Sequence, residues 1–138
     1  MIILDTNIVS EATKPNPSLT VLRWFDAQRR ETLYFTAISL SEVLAGLAVM
    51  PDGKRKQHLS VDTNELLKTL FGSRILPFDA AAAEAYAEIL KVAYATGRLM
   101  SSADAQIAAI AKSQGFAVAT RDLKPFAAAG VEVIDPWS

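Results

Sequence analysis

Short, largely apolar runs recur along the chain, separated by longer stretches whose apolar positions follow a helical period. Runs of this kind are typical of strands buried on both faces of a sheet. They cover residues 2–4, 33–38, 75–78, 116–119 and 131–134. Because strands alternate with helices, the pattern predicts an α/β protein, a three-layer α/β/α domain with a mainly parallel central sheet.

The stretches between these runs predict five helices, over residues 19–30, 39–49, 54–71, 79–96 and 101–115. Asp79 is expected to cap the fourth helix and Gly97 to end it, and Ser101 or Ser102 opens the fifth, which ends at Gly115. No internal repeat, low-complexity tract or linker interrupts the pattern. We therefore expect one domain over residues 1–138.

The composition restricts the kinds of site the chain can build. Of its 138 residues, 51% are hydrophobic, which is ample for a sizeable core, and none is Cys. Disulfides and thiolate metal sites are excluded. A bound metal must therefore be held by oxygen atoms or by His58, the single histidine.

The N-terminus and the overall charge indicate where the protein is expected and what it is expected to bind. Met1 to Leu4 lacks the basic flank and long apolar core of a secretion signal, and charges interrupt every helix-length segment, so we expect a soluble cytoplasmic protein. The formal net charge is −1, with 14 basic and 15 acidic residues. Nucleic-acid binding is thus not indicated by overall charge and has to rest on local chemistry.

Two aspartates come just after predicted strands. Asp5 directly follows the first run, and Asp122 follows the run that ends at Ala119. Ligands of open α/β sheets bind at the carboxyl edge of the strands, so both residues are predicted to lie at that edge. Alternatively each one caps the turn or helix that follows it, since Asp is a favoured N-cap residue.

Two further acids lie near the starts of predicted helices. Asp104 follows Ser101 by three residues and Glu42 follows Ser39 by three, a capping-box pattern that gives each acid a structural alternative. Asp104 also shares its helical phase with apolar positions 107, 108 and 111, which places it at the border of the apolar face. Small neighbours around Asp104, and Gly46 on the face of Glu42, leave the room that a hydrated cation needs.

Four acids at two strand ends and two helix starts predict one converging pocket. Carboxylates packed together raise one another's pKa and lower the stability unless a cation lies among them. With oxygen ligands only, Mg²⁺ or Mn²⁺ is the expected metal. Thr6, Asn7 and Thr120 are expected to orient the carboxylates or bound waters, or else to serve as caps and turn formers.

The segments that carry these acids resemble a known family, the PIN domain, and more narrowly the VapC and FitB-like toxins of bacterial type II toxin–antitoxin modules. The resemblance covers essentially the whole chain in order and spacing. One departure is the segment Leu99-Met100-Ser101-Ser102, since family members often carry a glycine-containing turn there. The matching segments are Leu4-Asp5-Thr6-Asn7, Ser41-Glu42-Val43, Ala103-Asp104-Ala105-Gln106-Ile107-Ala108 and Thr120-Arg121-Asp122.

This resemblance implies a Mg²⁺- or Mn²⁺-dependent endoribonuclease, a hydrolase that cleaves RNA with a metal-activated water. It also implies a cognate antitoxin protein as inhibitor, and a homodimer or a larger toxin–antitoxin assembly. The implied catalytic residues and metal ligands are Asp5, Glu42, Asp104 and Asp122, with Asp5 as the shared, central ligand.

Three basic residues are candidate contacts to RNA phosphates, and ordinary surface charge is the alternative. They are Arg121, Lys124 and Arg98.

Two other functions are compatible with the same acids. A carboxylate–metal phosphohydrolase for small molecules would also place an Asp after its first strand, but an aspartyl-phosphate enzyme would require a second Asp at the position of Asn7. A catalytically inactive interaction domain would use the acids only as caps.

Overall fold

The computed structural model describes residues 1–138 and has a five-stranded sheet at its centre, in the order β3-β2-β1-β4-β5. All neighbouring strands are parallel, which confirms the predicted α/β class and the mainly parallel sheet. The strands are β1 (Ile2–Leu4), β2 (Leu33–Thr36), β3 (Ile75–Leu76), β4 (Ala117–Ala119) and β5 (Val133–Ile134).

Seven α-helices connect and flank the strands. None of them is long and apolar enough to cross a bilayer. They are α1 (Thr6–Ala12), α2 (Leu19–Ala27), α3 (Ala37–Ala48), α4 (Lys54–Leu70), α5 (Ala80–Thr96), α6 (Ser102–Gln114) and α7 (Leu123–Ala128).

The central strand β1 contributes to a hydrophobic core on each face of the sheet. Ile3 belongs to a cluster built mainly from α5, α6 and α7, and the next residue, Leu4, belongs to a cluster with α1 and α4. Both side chains are fully buried, since successive residues of a strand point to opposite faces. In the second cluster the rings of Phe35 and Phe71 stack with centroids 4.9 Å apart. The sheet is therefore the middle of three layers.

Several predicted boundaries are wrong by a few residues. The second strand ends at Thr36 rather than at 38, because the Thr36 hydroxyl accepts the Ser39 N–H at 3.1 Å and so starts α3 two residues earlier than predicted. The strand predicted over 75–78 has only two residues, since Pro77 has no N–H for a ladder. The first predicted helix ends at Ala27, and Arg30–Thr32 forms a 3-10 turn.

The helix ends predicted from caps are confirmed. The Asp79 carboxylate accepts the N–H of Ala82 at 2.9 Å, and Gly97 ends α5 with a φ of 67°, in the left-handed region that glycine adopts easily. The pattern did not predict α1 or α7, which have seven and six residues. Such short helices give too few turns for a clear apolar period, and both directly follow predicted site aspartates.

Candidate active site

The register of the sheet brings Asp5 beside Thr120. Leu4 of β1 lies opposite Ala119 of β4, so the residues that follow them leave the sheet as neighbours. The Thr120 hydroxyl donates to Asp5 Oδ2 at 2.8 Å, and the N–H of Thr6 donates to Asp5 Oδ1 at 2.8 Å. Asp5 is 5% exposed and Thr120 fully buried. Asp5 therefore caps α1, as its structural alternative predicted, and also presents a buried carboxylate at the sheet edge.

Asn7 on α1 connects Asp5 to the loop after β4. Its amide nitrogen lies 3.4 Å from Asp5 Oδ2 and 3.4 Å from Asp122 Oδ2, and its amide oxygen accepts the N–H of Arg121 at 3.4 Å. The Thr120 hydroxyl oxygen in turn accepts the N–H of Asp122 at 2.9 Å. Asp122 precedes α7 but its side chain makes no capping hydrogen bond, and its carboxylate accepts the Asn7 amide instead.

Glu42 lies on α3 and lines the same cleft from that helix. Thr6 donates its hydroxyl hydrogen to Glu42 Oε1 at 3.2 Å, which ties this exposed acid to the residue after Asp5. The capping box expected between Glu42 and Ser39 is wrong, because Thr36 is the N-cap of α3. Ser39 instead lies fully buried within the first turn, and its hydroxyl has no hydrogen-bond partner.

Asp104 lies in the first turn of α6. The Ser101 hydroxyl accepts the Asp104 N–H at 3.1 Å, but the reciprocal bond of a capping box, from the Ser101 N–H to the carboxylate, is not made. Ile107, Ala108 and Ala111, which share the predicted phase of Asp104, are fully buried, but so are Ala105 and Ala109, so α6 is buried on most of its sides. The half-buried carboxylate of Asp104 is thus free to face a ligand.

All four predicted acids line one polar cleft of about 360 Å³. Thr120 is hydrogen-bonded to Asp5 but is not part of the lining, whereas the exposed Arg121 is. Arg98 and Lys124 do not reach this cleft and line a separate depression beside α7. The cleft is lined by Asp5, Thr6, Asn7, Ser10, Glu11, Lys14, Glu42, Asp104, Arg121, Asp122 and Trp137.

Burial and mutual repulsion shift the acids of the cleft toward protonation. Burial is the main reason that the pKa of Asp5 rises from 3.8 to about 6; hydrogen bonds from Thr120 and Thr6 oppose the rise, and the charges of Asp104 and Asp122 add to it. Burial, together with the charge of Asp122, also raises the pKa of Asp104. A cation among these carboxylates would relieve the unfavourable charge.

The donor set suits a hard cation that keeps part of its water. Every candidate ligand is an oxygen atom, and His58 lies exposed on α4, outside the cleft. No three acidic or histidine side chains are arranged so as to hold a bare metal ion. Mg²⁺ commonly uses one or two carboxylates and retains several waters, for which the cleft has room.

The sequence pattern missed Ser10, Glu11, Lys14 and Trp137, which also line the cleft. Glu11 is 6% exposed and accepts bonds from Lys14 Nζ and from the Ser18 N–H, both at 3.2 Å. Positions 7, 10 and 11 fall on one face of α1, so recognition of this helix would have revealed Ser10 and Glu11, whereas Lys14 lies two residues beyond its end. Trp137 follows β5 as Asp5 follows β1. The expectation that residues after parallel strands meet at the carboxyl edge of the sheet therefore applies to Trp137 as well.

Comparison with known proteins decides the family. A model of the PIN domain matches residues 2–131, a span that contains all four acids. The chain belongs to the PIN domain family. The resemblance noted in its sequence is thereby confirmed, and the buried Asp5 with its neighbours lies within the matched part of this PIN domain.

Three relatives match this PIN domain over nearly all of its length. The plasmid stability protein StbB of Pseudomonas syringae pv. tomato is 49% identical over 137 residues, covering 99% of each chain. The VapC ribonuclease Y4jK of Sinorhizobium fredii is 48% identical over 138 residues, covering 99% of this chain and 98% of its own. The toxin FitB of Neisseria gonorrhoeae is 42% identical over 137 residues, covering 99% of each.

A solved structure extends the comparison to three dimensions. A chain in the crystal structure of FitAcB from Neisseria gonorrhoeae superposes with a TM-score of 0.93 at 42% identity, covering 99% of both chains. The similarity therefore includes the arrangement of the sheet and helices that positions the acid cleft.

Proposed function

We propose that this PIN domain is an endoribonuclease and the toxin of a toxin–antitoxin pair. One observation carries the proposal: four acids from separate elements line a single cleft in a chain that is 48% identical, over its full length, to a VapC ribonuclease. The FitB relative is itself a toxin. Residues 1–138 act as one catalytic domain in this proposal.

The four acids are the residues that would hold a divalent cation, Mg²⁺ or Mn²⁺, at the carboxyl edge of the sheet. Asp5, the most buried of them, would be its principal ligand, and Asp104, Asp122 and Glu42 would contribute through their carboxylates or through water that the ion retains. When bound, such a cation would supply an activated water and stabilisation of the charge that develops on the phosphate. The support for this assignment is the all-oxygen donor set and the raised pKa of Asp5, to about 6, because a buried acid without a counter-charge favours a bound cation.

The remaining polar residues orient these ligands. Thr120 and the Thr6 N–H fix both oxygens of Asp5, Asn7 links Asp5 to Asp122, and the Thr6 hydroxyl restrains Glu42. In this proposal Arg121, which lines the cleft, contacts an RNA phosphate. Arg98 and Lys124 contact the strand further along, in their separate depression.

Cleavage of a mixed cellular RNA pool by the purified protein tests the reaction class. Mn²⁺ or Mg²⁺ should give discrete RNA fragments and EDTA should abolish them. The same samples should hydrolyse small phosphate monoesters and diesters far more slowly. Hydrolysis of small esters with intact RNA would instead indicate a small-molecule phosphohydrolase, and inactivity on both would indicate an interaction domain.

The proposed partner is a cognate antitoxin protein. Expressed alone in the bacterial cytoplasm, the chain should arrest growth, and co-expression of the antitoxin should restore it and inhibit RNA cleavage by the purified pair. Growth arrest that persists in the Asp5→Asn variant would contradict a toxin acting through the acid cleft. The homodimer stays a prediction, which light scattering on the purified chain would test.

A further inference from the structure

One side of the acid cleft carries an aromatic and cationic pair that the metal chemistry does not use. Trp137 is the only hydrophobic residue among the eleven that line the cleft, and Arg121 lines it as well. The guanidinium carbon of Arg121 lies over the indole ring of Trp137, 4.8 Å from the ring centroid. This arrangement is a cation–π contact between the Arg121 guanidinium and the Trp137 ring.

The pair is held in place by its surroundings. Trp137 packs against the hydrophobic cluster that contains Leu4. Its backbone N–H donates to Asp135 Oδ1 at 3.0 Å. The backbone N–H of Arg121 donates to the Asn7 side-chain oxygen at 3.4 Å, and Asp122 is the next residue in the chain. The pair therefore adjoins the acids, because Asn7 is hydrogen-bonded both to the backbone of Arg121 and to the carboxylate of Asp122.

Arg121 has no carboxylate partner even though acids line the cleft with it. The ion pairs of the structure join Lys14 to Glu11, Arg29 to Glu31 and Lys56 to Asp52. Glu11, a buried acid of the cleft whose pKa the charge of Arg121 helps to lower, forms its ion pair with Lys14. The guanidinium makes no hydrogen bond either, so its donors and the face turned away from Trp137 remain available to a ligand.

We propose that Arg121 and Trp137 form a stacking platform for one nucleobase of the RNA, next to the phosphate that is cleaved. The inference rests on the proposed ribonuclease function and adds a residue pair that determines which strand binds productively. Single-stranded RNA is commonly recognised by bases that stack on aromatic rings and on arginine planes, whereas paired bases are not free to do so. The platform therefore selects single-stranded RNA.

Fluorescence of Trp137 tests the platform without any cleavage. The chain has two tryptophans, so Trp24→Phe leaves Trp137 as the only indole. In EDTA, a short oligoadenylate should quench its emission in a saturable way, and an abasic RNA of the same length and charge should not. Equal quenching by both strands, or none by either, would overturn the proposal.

Affinities of variants supply the second readout. Trp137→Ala should weaken oligoadenylate binding on the order of tenfold and leave abasic RNA binding unchanged, whereas Trp137→Phe should retain most of the affinity. Arg121→Lys should lose the preference for the strand with bases but keep binding to phosphate. Lys124→Ala, the control, should weaken both strands by the same factor. Thermal scans identify any variant that fails to fold, and Trp137→Phe keeps the test informative in that case.

The outcomes separate this inference from the function on which it rests. If the wild type cleaves RNA but binds both strands alike, the platform is wrong and the ribonuclease stands. If it binds the strand with bases preferentially but never cleaves RNA with any metal, the platform stands as an RNA-binding feature and the ribonuclease proposal fails.

Discussion

The hydroxyl of Thr120 donates a 2.8 Å hydrogen bond to Asp5 Oδ2 across 115 positions of the chain, and both residues are buried. This contact follows from the pairing of β1 with β4 and holds the carboxylate on which the proposed metal site depends. Because the bond stabilises the charged form of Asp5, it opposes the effect of burial on the Asp5 pKa. Thr120 thus keeps a buried acid ready to bind a cation near neutral pH.

Thr120→Val should raise the pKa of Asp5 above its wild-type value, since the change removes the hydroxyl at nearly constant volume. Groups that orient a metal ligand typically account for about 10- to 100-fold in metal affinity. The metal concentration that gives half-maximal cleavage should rise by such a factor at pH 7. Thr120→Ser, which keeps the hydroxyl, is the matched control. Equal metal requirements in both variants would show that the hydrogen bond does not serve the site.

Asp5 should make the metal-free protein less stable as the pH rises. Its pKa is about 6 in the folded chain against 3.8 in its ordinary state, so the folded state holds the proton more tightly. The contribution is fully present below pH 3.8 and is lost as the pH rises to about 6, by about 3 kcal/mol in the free energy of unfolding.

Denaturant unfolding in EDTA at pH 5 and at pH 7 checks this dependence. Asp5→Asn should remove most of the difference between the two pH values and should not lower the stability at pH 7. A variant that unfolds at pH 7 would instead show that the Asp5 carboxylate is required by the fold.

Glu11 should have the opposite pH dependence. Its hydrogen bond with Lys14 is the main reason that the pKa of Glu11 lies below its usual 4.5, and the Ser18 N–H contributes in the same direction. A lowered pKa stabilises the fold above pH 4.5, and the effect is lost as the pH falls through the folded-state pKa. Glu11→Gln should therefore melt at a lower temperature than the wild type at pH 7, and the difference should shrink in acid. A pH-independent difference would indicate lost packing alone.

A divalent cation should stabilise the folded chain at neutral pH. Binding to the native state raises the free energy of unfolding by about 2.7 kcal/mol when the metal is at about 100 times its Kd. Thermal scans with Mn²⁺ or Mg²⁺ should show this rise in the wild type and in Asp62→Asn, an exposed acid of α4 outside the cleft. Asp5→Asn should show little of it. A rise of equal size in all three proteins would mean that the metal binds elsewhere.

The four acids could be predicted because each lies where a simple rule applies. Asp5 and Asp122 follow strands, and the edge of a parallel sheet gathers residues that are far apart in sequence. Asp104 shares its helical phase with apolar positions 107, 108 and 111, which are buried, although α6 is buried on most of its other sides as well. Glu42 was predicted to lie in the pocket, and it does, although the capping box suggested for it does not form.

The other residues of the cleft required contacts that no local pattern contains. Glu11 depends on α1, whose seven residues carry too weak a period to be recognised, and Lys14 lies two residues beyond the end of that helix. The contact of Arg121 with Trp137 joins two loops that the parallel pairing of β4 with β5 brings together. Lys124 and Arg98 are close in sequence to site residues but do not line the acid cleft, so proximity in sequence alone is not enough to predict a site residue.

The rate of RNA cleavage by Asp104→Asn, measured beside Asp62→Asn on one RNA that the wild type cuts, tests the central claim most directly. The account predicts that Asp104→Asn folds normally and loses at least about a hundredfold in rate with Mn²⁺ or Mg²⁺, because a lost ligand costs several kcal/mol of transition-state stabilisation, while Asp62→Asn cleaves like the wild type. Cleavage by Asp104→Asn at the wild-type rate, with the same dependence on metal, would contradict the assignment of this cleft as the catalytic site.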